Sequence, residues 1–458
     1  MTDVLVFLPG IMGSELHDAE GRVWPGTLID GVFKFSDKRF ERLLADDLEP
    51  RDIIREVGGV VKVYEPWIEA LESMRSRETG AALFSEAAKS LRVVPYDWRK
   101  SASLAAERLA VAVDEVRQSH GADAQIHIAA HSLGGVIARY YLQSARFEQR
   151  PGFKHVRSFI TFGTPHNGSP IAVAGAIGQH QAQFLDSKQT KTIVNDERFP
   201  ALYELFPDPS IAIVWDRTTK GRLQPLSIYD PAFGQAKLGL NAKNLQRALD
   251  LHNAIRGKKW PDVRTFIFVG TRFETITHFY WNGTRAQRVD TEDAGDGAVP
   301  LTCSMVPGQQ MRFTSREHGA ILLSKEARDG LGELFGADGL LFTDPNTIVI
   351  VAPRDQVVSH NEPIHILLRV EGPATSIGGT LFLERARIAA TAETIGEAAF
   401  DVMNRQAARA LSYGGPNLAA LTAVLDGVAG PGVYRPVFET DEAVPRRFYG
   451  PALIVRSP

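Results

Sequence analysis

Three serines of this chain stand in the pattern Ala-x-Ser-x-Gly: Ser132 in AHSLGG, Ser376 in ATSIGG and Ser412 in ALSYGG. A serine hydroxyl on a sharp strand-to-helix turn can attack a carbonyl carbon, provided small neighbours let the turn close and a helix follows. Only Ser132 meets every condition. The apolar run AQIHIAA precedes it, Ala130 and Gly134 flank it, and Gly135 leads into VIARYYLQSA, a helix whose positive end would lie under the hydroxyl. Ser376 instead follows Pro373 within a turn, and Ser412 lies between a helix-like stretch and GGP.

Such a hydroxyl is a weak nucleophile until a base takes its proton and a carboxylate holds that base in the right tautomer. The chain order Ser, Asp, His is met by Asp296 in AGDGAVPL and by His318 in SREHGAILLS, 22 residues later. Asp296 lies between two glycines, a loop position from which a carboxylate projects. Asp290 and Asp293 read as solvated loop charges. Taken as a calcium loop, DTEDAGDG puts Ala294 and Leu301 where oxygen donors are needed. Among twelve histidines, only His318 follows the aspartate at a distance that one loop-and-strand return bridges; His166 and His278 are second choices.

The oxyanion of an acyl-transfer intermediate needs two main-chain N–H donors. Leu133 supplies one directly after the serine, and PGIMGS supplies the other at Ile11, with Met12 as the alternative. This route needs no cofactor and no metal. Cys303 reads as a small buried residue rather than a reactive thiol.

These groups need a scaffold. Short apolar runs at 3–8, 92–95, 124–130, 156–162 and 264–270 alternate with amphipathic segments at 102–118, 136–146 and 325–336. That is the pattern of a mostly parallel sheet covered by helices on both faces, so the fold class expected is α/β. The stretches 14–65 and 171–260 are too long for plain loops and read as cap insertions. GADGLLFTDPN reads as a linker, which divides the chain into residues 1–340 and 341–458. The second part carries strand-like runs NTIVIVA, PIHILLRVEG, GTLFLERA and PALIVRS, as in a small β-sandwich, with residues 393–428 helical in part.

Composition narrows the partners. Fifty-one Lys and Arg against 54 Asp and Glu give a net charge of −3, without the basic excess of a nucleic-acid binder. One cysteine leaves no intrachain disulfide. MTDVLVFLPG has no basic residue before its apolar run and is broken by Pro9 and Gly10, unlike a signal peptide, so a cytoplasmic location is expected. The run IAVAGAIG at 171–178 is far short of the ~20 residues that span a bilayer, but could touch a membrane surface transiently.

With these pieces in order, the chain resembles the lecithin:cholesterol acyltransferase-like family of α/β-hydrolases over about residues 1–335. The resemblance rests on LPGIMGSEL, VVPYDWRKS, AAHSLGGVIARYY, FGTPHNGSP, PALYELFPDP and GDGAVPL. It implies an α/β-hydrolase fold, a lid over an acyl channel, and Asp97, Trp98 and Arg99 beside the pocket. Met12, Asp97, Trp98, His131 and His166 are the substrate-binding candidates. The implied activity is hydrolysis or transfer of acyl groups from lipid esters through an acyl-enzyme. Unlike secreted and lysosomal relatives, this chain lacks disulfides. A soluble carboxylesterase, thioesterase or protein deacylase is the nearest alternative. A non-catalytic scaffold whose C-terminal module binds a partner is the third reading.

Overall fold

Side chains alternate across a strand, so an apolar run without polar interruption must be buried on both faces. In the first strand, Val4, Val6 and Leu8 enter one core and Leu5 and Phe7 another, all fully buried. The computed structural model of the chain describes residues 2–26, 35–57, 61–220, 222–256, 258, 262–306, 308–337, 348–371, 376–386, 400–414, 420–440 and 445–457.

Its central sheet consists of β1 (Thr2–Leu8), β2 (Leu91–Val93), β3 (Ala124–His131), β4 (Val156–Phe162), β5 (Arg264–Gly270) and β6 (Gln310–Thr314). They lie in the spatial order β2-β1-β3-β4-β5-β6, and every pairing is parallel. The α/β class is therefore observed. Helices α1 (Glu65–Ser73) and α4 (Lys325–Phe335) share the core with Leu5 and Phe7. Helices α2 (Ala102–His120) and α3 (Leu133–Gln143) share the other.

The chain leaves β1 toward β2 on one side and returns to β3 on the other. A crevice opens at the carboxyl ends of strands where such a reversal occurs. Leu8 and Ala130 are register partners there, so the PGIM turn and Ser132 emerge side by side. The strand β6 lies at one edge of the sheet, where polar residues are tolerated, and its sequence QMRFT is not an apolar run; Phe313, for instance, is exposed.

Residues 14–53 form a three-stranded sheet, Gly21–Trp24, Ser14–Asp18 and Glu49–Ile53, with helix Asp37–Leu43. Beyond β4 come helices Pro170–Ala176, Ser187–Val194, Ala201–Glu204 and Ala242–Ile255. The IAVAGAIG run lies mainly in the first of these and buries Ala172, Val173, Ala174 and Ala176. A second, four-stranded sheet joins Gln224–Leu226, Val214–Asp216, Phe273–Trp281 and Ala286–Gly295. Asp290 and Asp293 lie on its last strand rather than in a loop, and Asp290 pairs with Arg288 at 3.0 Å. A strand with one wet face tolerates such charges.

The C-terminal region is sheet-rich. Ile348–Pro353, Ile364–Glu371 and Ala420–Leu425 form one sheet. Val357–Ser359, Leu453–Arg456, Gly432–Thr440, Ser376–Ala386 and Phe400–Gly414 form another, with Arg447–Tyr449 paired to Gly432–Thr440. Ile366 and Leu368 of the first share a core with Leu381, Phe438 and Leu453 of the second. The helical expectation for 393–428 is corrected: Phe400–Gly414 and Ala420–Leu425 are strands. The Ala- and Arg-rich sequence favours helix locally, and pairing with Ser376–Ala386 overrides it. The boundary near residue 340 and most of the linker lie outside the described residues. Arg354 bonds Glu274 at 2.9 Å, and Val433, Ala452 and Ile454 enter the core that holds α2 and α3, so the C-terminal sheets dock on the first part. Among the described residues no helix is long and apolar enough to cross a membrane.

Candidate active site

Strand β3 ends at His131 and α3 begins at Leu133, leaving one residue to reverse direction. Ser132 does so at φ 52°, ψ −122°. A non-glycine residue held there costs about 1–3 kcal/mol, which the packing around it must offset. Its N–H donates to the carbonyl of Phe162 at 2.9 Å, pinning the turn to the end of β4. Gly134 is required by close approach: a Cβ would lie 2.5 Å from the Pro9 carbonyl oxygen and 2.8 Å from that of Leu8. The Leu133 amide opens α3, where the first N–H groups have no acceptor within the helix.

His318 and Asp296 come from the loops that flank β6. His318 Nε2 lies 2.9 Å from Ser132 Oγ, and His318 Nδ1 lies 2.8 Å from Asp296 Oδ2. Asp296 is itself aimed: its Oδ1 accepts N–H bonds from Ala298 at 3.0 Å and Val299 at 2.7 Å. Gly163, at φ 56° after β4, makes room, since a Cβ would meet His318 Nδ1 at 3.0 Å and Asp296 Oδ2 at 3.1 Å. Asp296 is 1 % exposed and Ser132 5 % exposed. Burial works against a charged imidazole at His318, but the charge and hydrogen bond of Asp296, aided by Glu317, outweigh it and raise its pKa above 6.5. The arrangement can therefore take a proton from Ser132 and stabilise the imidazolium that forms.

The PGIMGS segment closes a turn by the Gly13 N–H to Gly10 carbonyl bond at 3.1 Å, with Met12 at φ 59°. Trp24 Nε1 donates to the Met12 carbonyl at 2.9 Å, and Tyr96 Oη to the Pro9 carbonyl at 2.8 Å. Ile11 sits partly buried in this turn. A Cβ on Gly10 would be 3.0 Å from Ser132 Cβ, so turn and serine are in contact.

The other expected site residues are largely occupied by protein partners. The Asp97 carboxylate bonds Arg99 Nε at 2.9 Å and Nη2 at 2.7 Å. Buried Arg99 also donates to the carbonyls of Leu43 and Ala45, knitting 14–65 to PYDWR. Trp98 packs on Trp24 at 5.1 Å between ring centres, and its indole N–H has no partner among the described residues. His131 spends both ring nitrogens on Tyr64 and the His318 carbonyl. His166 is buried, with Nε2 3.2 Å from Thr161 Oγ1. His278 lies on the strand Phe273–Trp281 beside Thr277, away from the serine's hydrogen bonds.

A model of the lecithin:cholesterol acyltransferase family matches residues 57–291, just over half of the 458 residues. The chain belongs to this family.

The match includes Ser132 and Leu133 and stops short of Asp296 and His318. Family membership points to acyl transfer from, or hydrolysis of, lipid esters. No curated protein matches the chain. Among solved structures, RedJ with a PEG molecule bound in its active site is 15% identical, covering 73% of this chain and 88% of that one, at a TM-score of 0.26. A chitin binding domain from Burkholderia pseudomallei is 10% identical over 23% of this chain, at a TM-score of 0.18. Spo0M, a sporulation control protein from Bacillus subtilis, is 7% identical over 24%, also at 0.18. This chain spans 57% and 50% of those last two. At such TM-scores the likenesses carry no argument.

In this family member the segments VVPYDWRKS and PALYELFPDP meet, which spacing alone does not reveal. Glu204 accepts from Ser101 Oγ and from the Ala102 N–H, each at 2.6 Å, and so caps α2 from 102 positions away. Tyr64 is the residue that sequence reasoning missed. Nothing in VKVYEPW sets it apart from a core tyrosine, yet its hydroxyl reaches Gly10 and His131.

Proposed function

We propose that this chain is a serine-dependent acyl hydrolase or O-acyltransferase on an α/β-hydrolase fold, acting on lipid esters through Ser132, His318 and Asp296. The hydrogen-bonded line from Asp296 through His318 to Ser132, at 2.8 and 2.9 Å, carries this reading. His318 Nε2 takes the Ser132 proton as Oγ attacks the ester carbonyl carbon. The oxyanion rests on the N–H groups of Leu133 and Ile11. Collapse breaks the bond to the alcohol, which leaves with the proton from His318 and gives an acyl-enzyme. Water or an acceptor alcohol then attacks that acyl group by the same steps in reverse.

Lipid as substrate is supported by the family; beside the PGIMGS turn, Met12, Trp24, Phe35, Trp98 and Phe184 pack into one buried apolar core. Residues 1–340 are the catalytic unit in this reading, with 14–65 and 171–260 as its covers. The lone cysteine, buried Cys303, suits a cytoplasmic setting.

The test has two parts. A fluorophosphonate probe should label the wild type and leave Ser132→Ala unlabelled. Mass spectrometry of a mixed membrane lipid extract, incubated with each, should reveal the acyl donor consumed and any acylated acceptor only with the wild type. Equal lipid profiles together with turnover of short soluble esters would favour the carboxylesterase alternative. Absence of labelling would favour a non-catalytic scaffold.

A further inference from the structure

His131 immediately precedes Ser132, and its imidazole bridges two elements. Nδ1 lies 2.7 Å from Tyr64 Oη, and Nε2 lies 3.0 Å from the main-chain carbonyl oxygen of His318. Tyr64 Oη already accepts the Gly10 N–H at 2.7 Å. The His318 carbonyl oxygen can only accept, so the imidazole proton sits on Nε2 and donates to it, and Nδ1 accepts the Tyr64 hydroxyl proton. Burial, reinforced by the charge of His318, pushes the His131 pKa down to about 3, so the ring stays neutral and this tautomer persists over the working pH range.

We propose that Tyr64 and His131 form a positioning relay that ties the Gly10–Gly13 turn to the backbone of His318. The proposal rests on Ser132 being the nucleophile. Asp296 fixes the rotation of the His318 ring, but the ring's place is set by its main chain. That chain is anchored on one side by its N–H to the Asp296 carbonyl at 2.8 Å, and on the other by its own carbonyl to His131. At the far end of the relay, Tyr64 holds the N–H of the Pro9–Gly10 peptide, one link before the peptide that carries the N–H of Ile11, the expected oxyanion donor. Contact is tight throughout: a Cβ on Gly10 would lie 3.0 Å from His131 Nδ1. Tyr64 is buried with its ring edge on Phe7, 5.4 Å between centres, so its hydroxyl has little freedom to leave. Oxyanion donor and base thus move together or not at all. Neither Tyr64 nor His131 hydrogen-bonds Ser132 Oγ or a ring nitrogen of His318, although the His131 and His318 rings lie 4.9 Å apart between centres.

Tyr64→Phe removes one oxygen and keeps the ring packing. The expected result is a kcat, and a rate of fluorophosphonate inactivation, lower by about tenfold or more, because small misplacements of reacting groups are costly. KM should stay within about twofold and the melting temperature within a few degrees. His131→Gln, whose amide can accept from Tyr64 and donate to the His318 carbonyl, should retain more activity than His131→Leu. Tyr64→Phe added to His131→Leu should cost little more than His131→Leu alone, since both break one chain of bonds. Wild-type kinetics in Tyr64→Phe, or losses that multiply in the double variant, would overturn the relay. Should Tyr64→Phe not fold, equal activities of His131→Gln and His131→Leu would overturn it. A wild type that the probe does not label would instead remove the nucleophile assignment on which the relay rests.

Discussion

His318 is tied to Asp296 twice, ring Nδ1 to carboxylate oxygen and main-chain N–H to carbonyl oxygen, both at 2.8 Å. The first bond sets the tautomer and the second sets the position of the loop. Asp296→Asn keeps the second and turns the first into a mismatch. Its kcat toward an ester is expected to fall by about 10³ to 10⁴, with circular dichroism and melting temperature close to wild type. A loss smaller than tenfold in stopped-assay kinetics would remove Asp296 from the mechanism.

In the proposed mechanism His318 acts as a base only when neutral. With the His318 pKa raised above 6.5, kcat/KM should climb with pH along a limb whose midpoint lies on the alkaline side of 6.5. Glu317, whose carboxyl is pushed up to about 7 by burial, adds negative charge beside the imidazole once it ionises. Glu317→Gln should move the midpoint to lower pH without abolishing turnover. A pH–rate profile with the same midpoint in both proteins would contradict the electrostatic account.

Gly134 and Gly175 separate steric necessity from habit. Gly134→Ala drives a methyl group into two backbone carbonyl oxygens, which cannot turn aside, and is expected to cost at least about 1–3 kcal/mol. At Gly175, inside helix Pro170–Ala176, the nearest atom to a new Cβ is Thr190 Cγ2 at 3.6 Å, so Gly175→Ala should stabilise by about 0.5–1 kcal/mol. Denaturant titration of the two variants checks both signs.

Burial pushes the Glu204 carboxyl up to about 7, against 4.5 in an unfolded chain. Between those values the unfolded carboxyl ionises while the folded one keeps its proton, so its contribution to stability is full below 4.5 and declines as pH rises through 7. Glutamine does not titrate. The melting temperature of the wild type should therefore fall relative to Glu204→Gln between pH 5 and pH 8. Thermal melts that run parallel over that range would refute the buried protonated state.

The four interior strands of the central sheet are legible as apolar runs because both of their faces are largely buried; Leu91–Val93 is an edge strand with Arg92 exposed and is legible only from the short run around Val93 and Val94. The other edge strand, Gln310–Thr314, was not legible, because an edge strand can show charge and polarity to water. The same reason hid the strand that carries Asp290 and Asp293. Phe400–Gly414 was misread in the opposite sense, local helix propensity being a weaker force than cross-strand pairing.

The turn at Ser132 follows from the sequence itself, since its demands are steric and fall on neighbours in the chain: a β-run, small flanks and a helix start. The parallel register did what no local pattern encodes. It set the ends of β1 and β3 side by side, so that Gly10 touches Ser132, and it drew His318 across 186 positions to Ser132 Oγ. The Tyr64–His131–His318 chain and the Glu204 cap likewise exist only in three dimensions. Hydrogen bonds of that kind depend on ångström-scale distances between distant segments, and such distances are a property of the packed sheet and helices rather than of any stretch of residues.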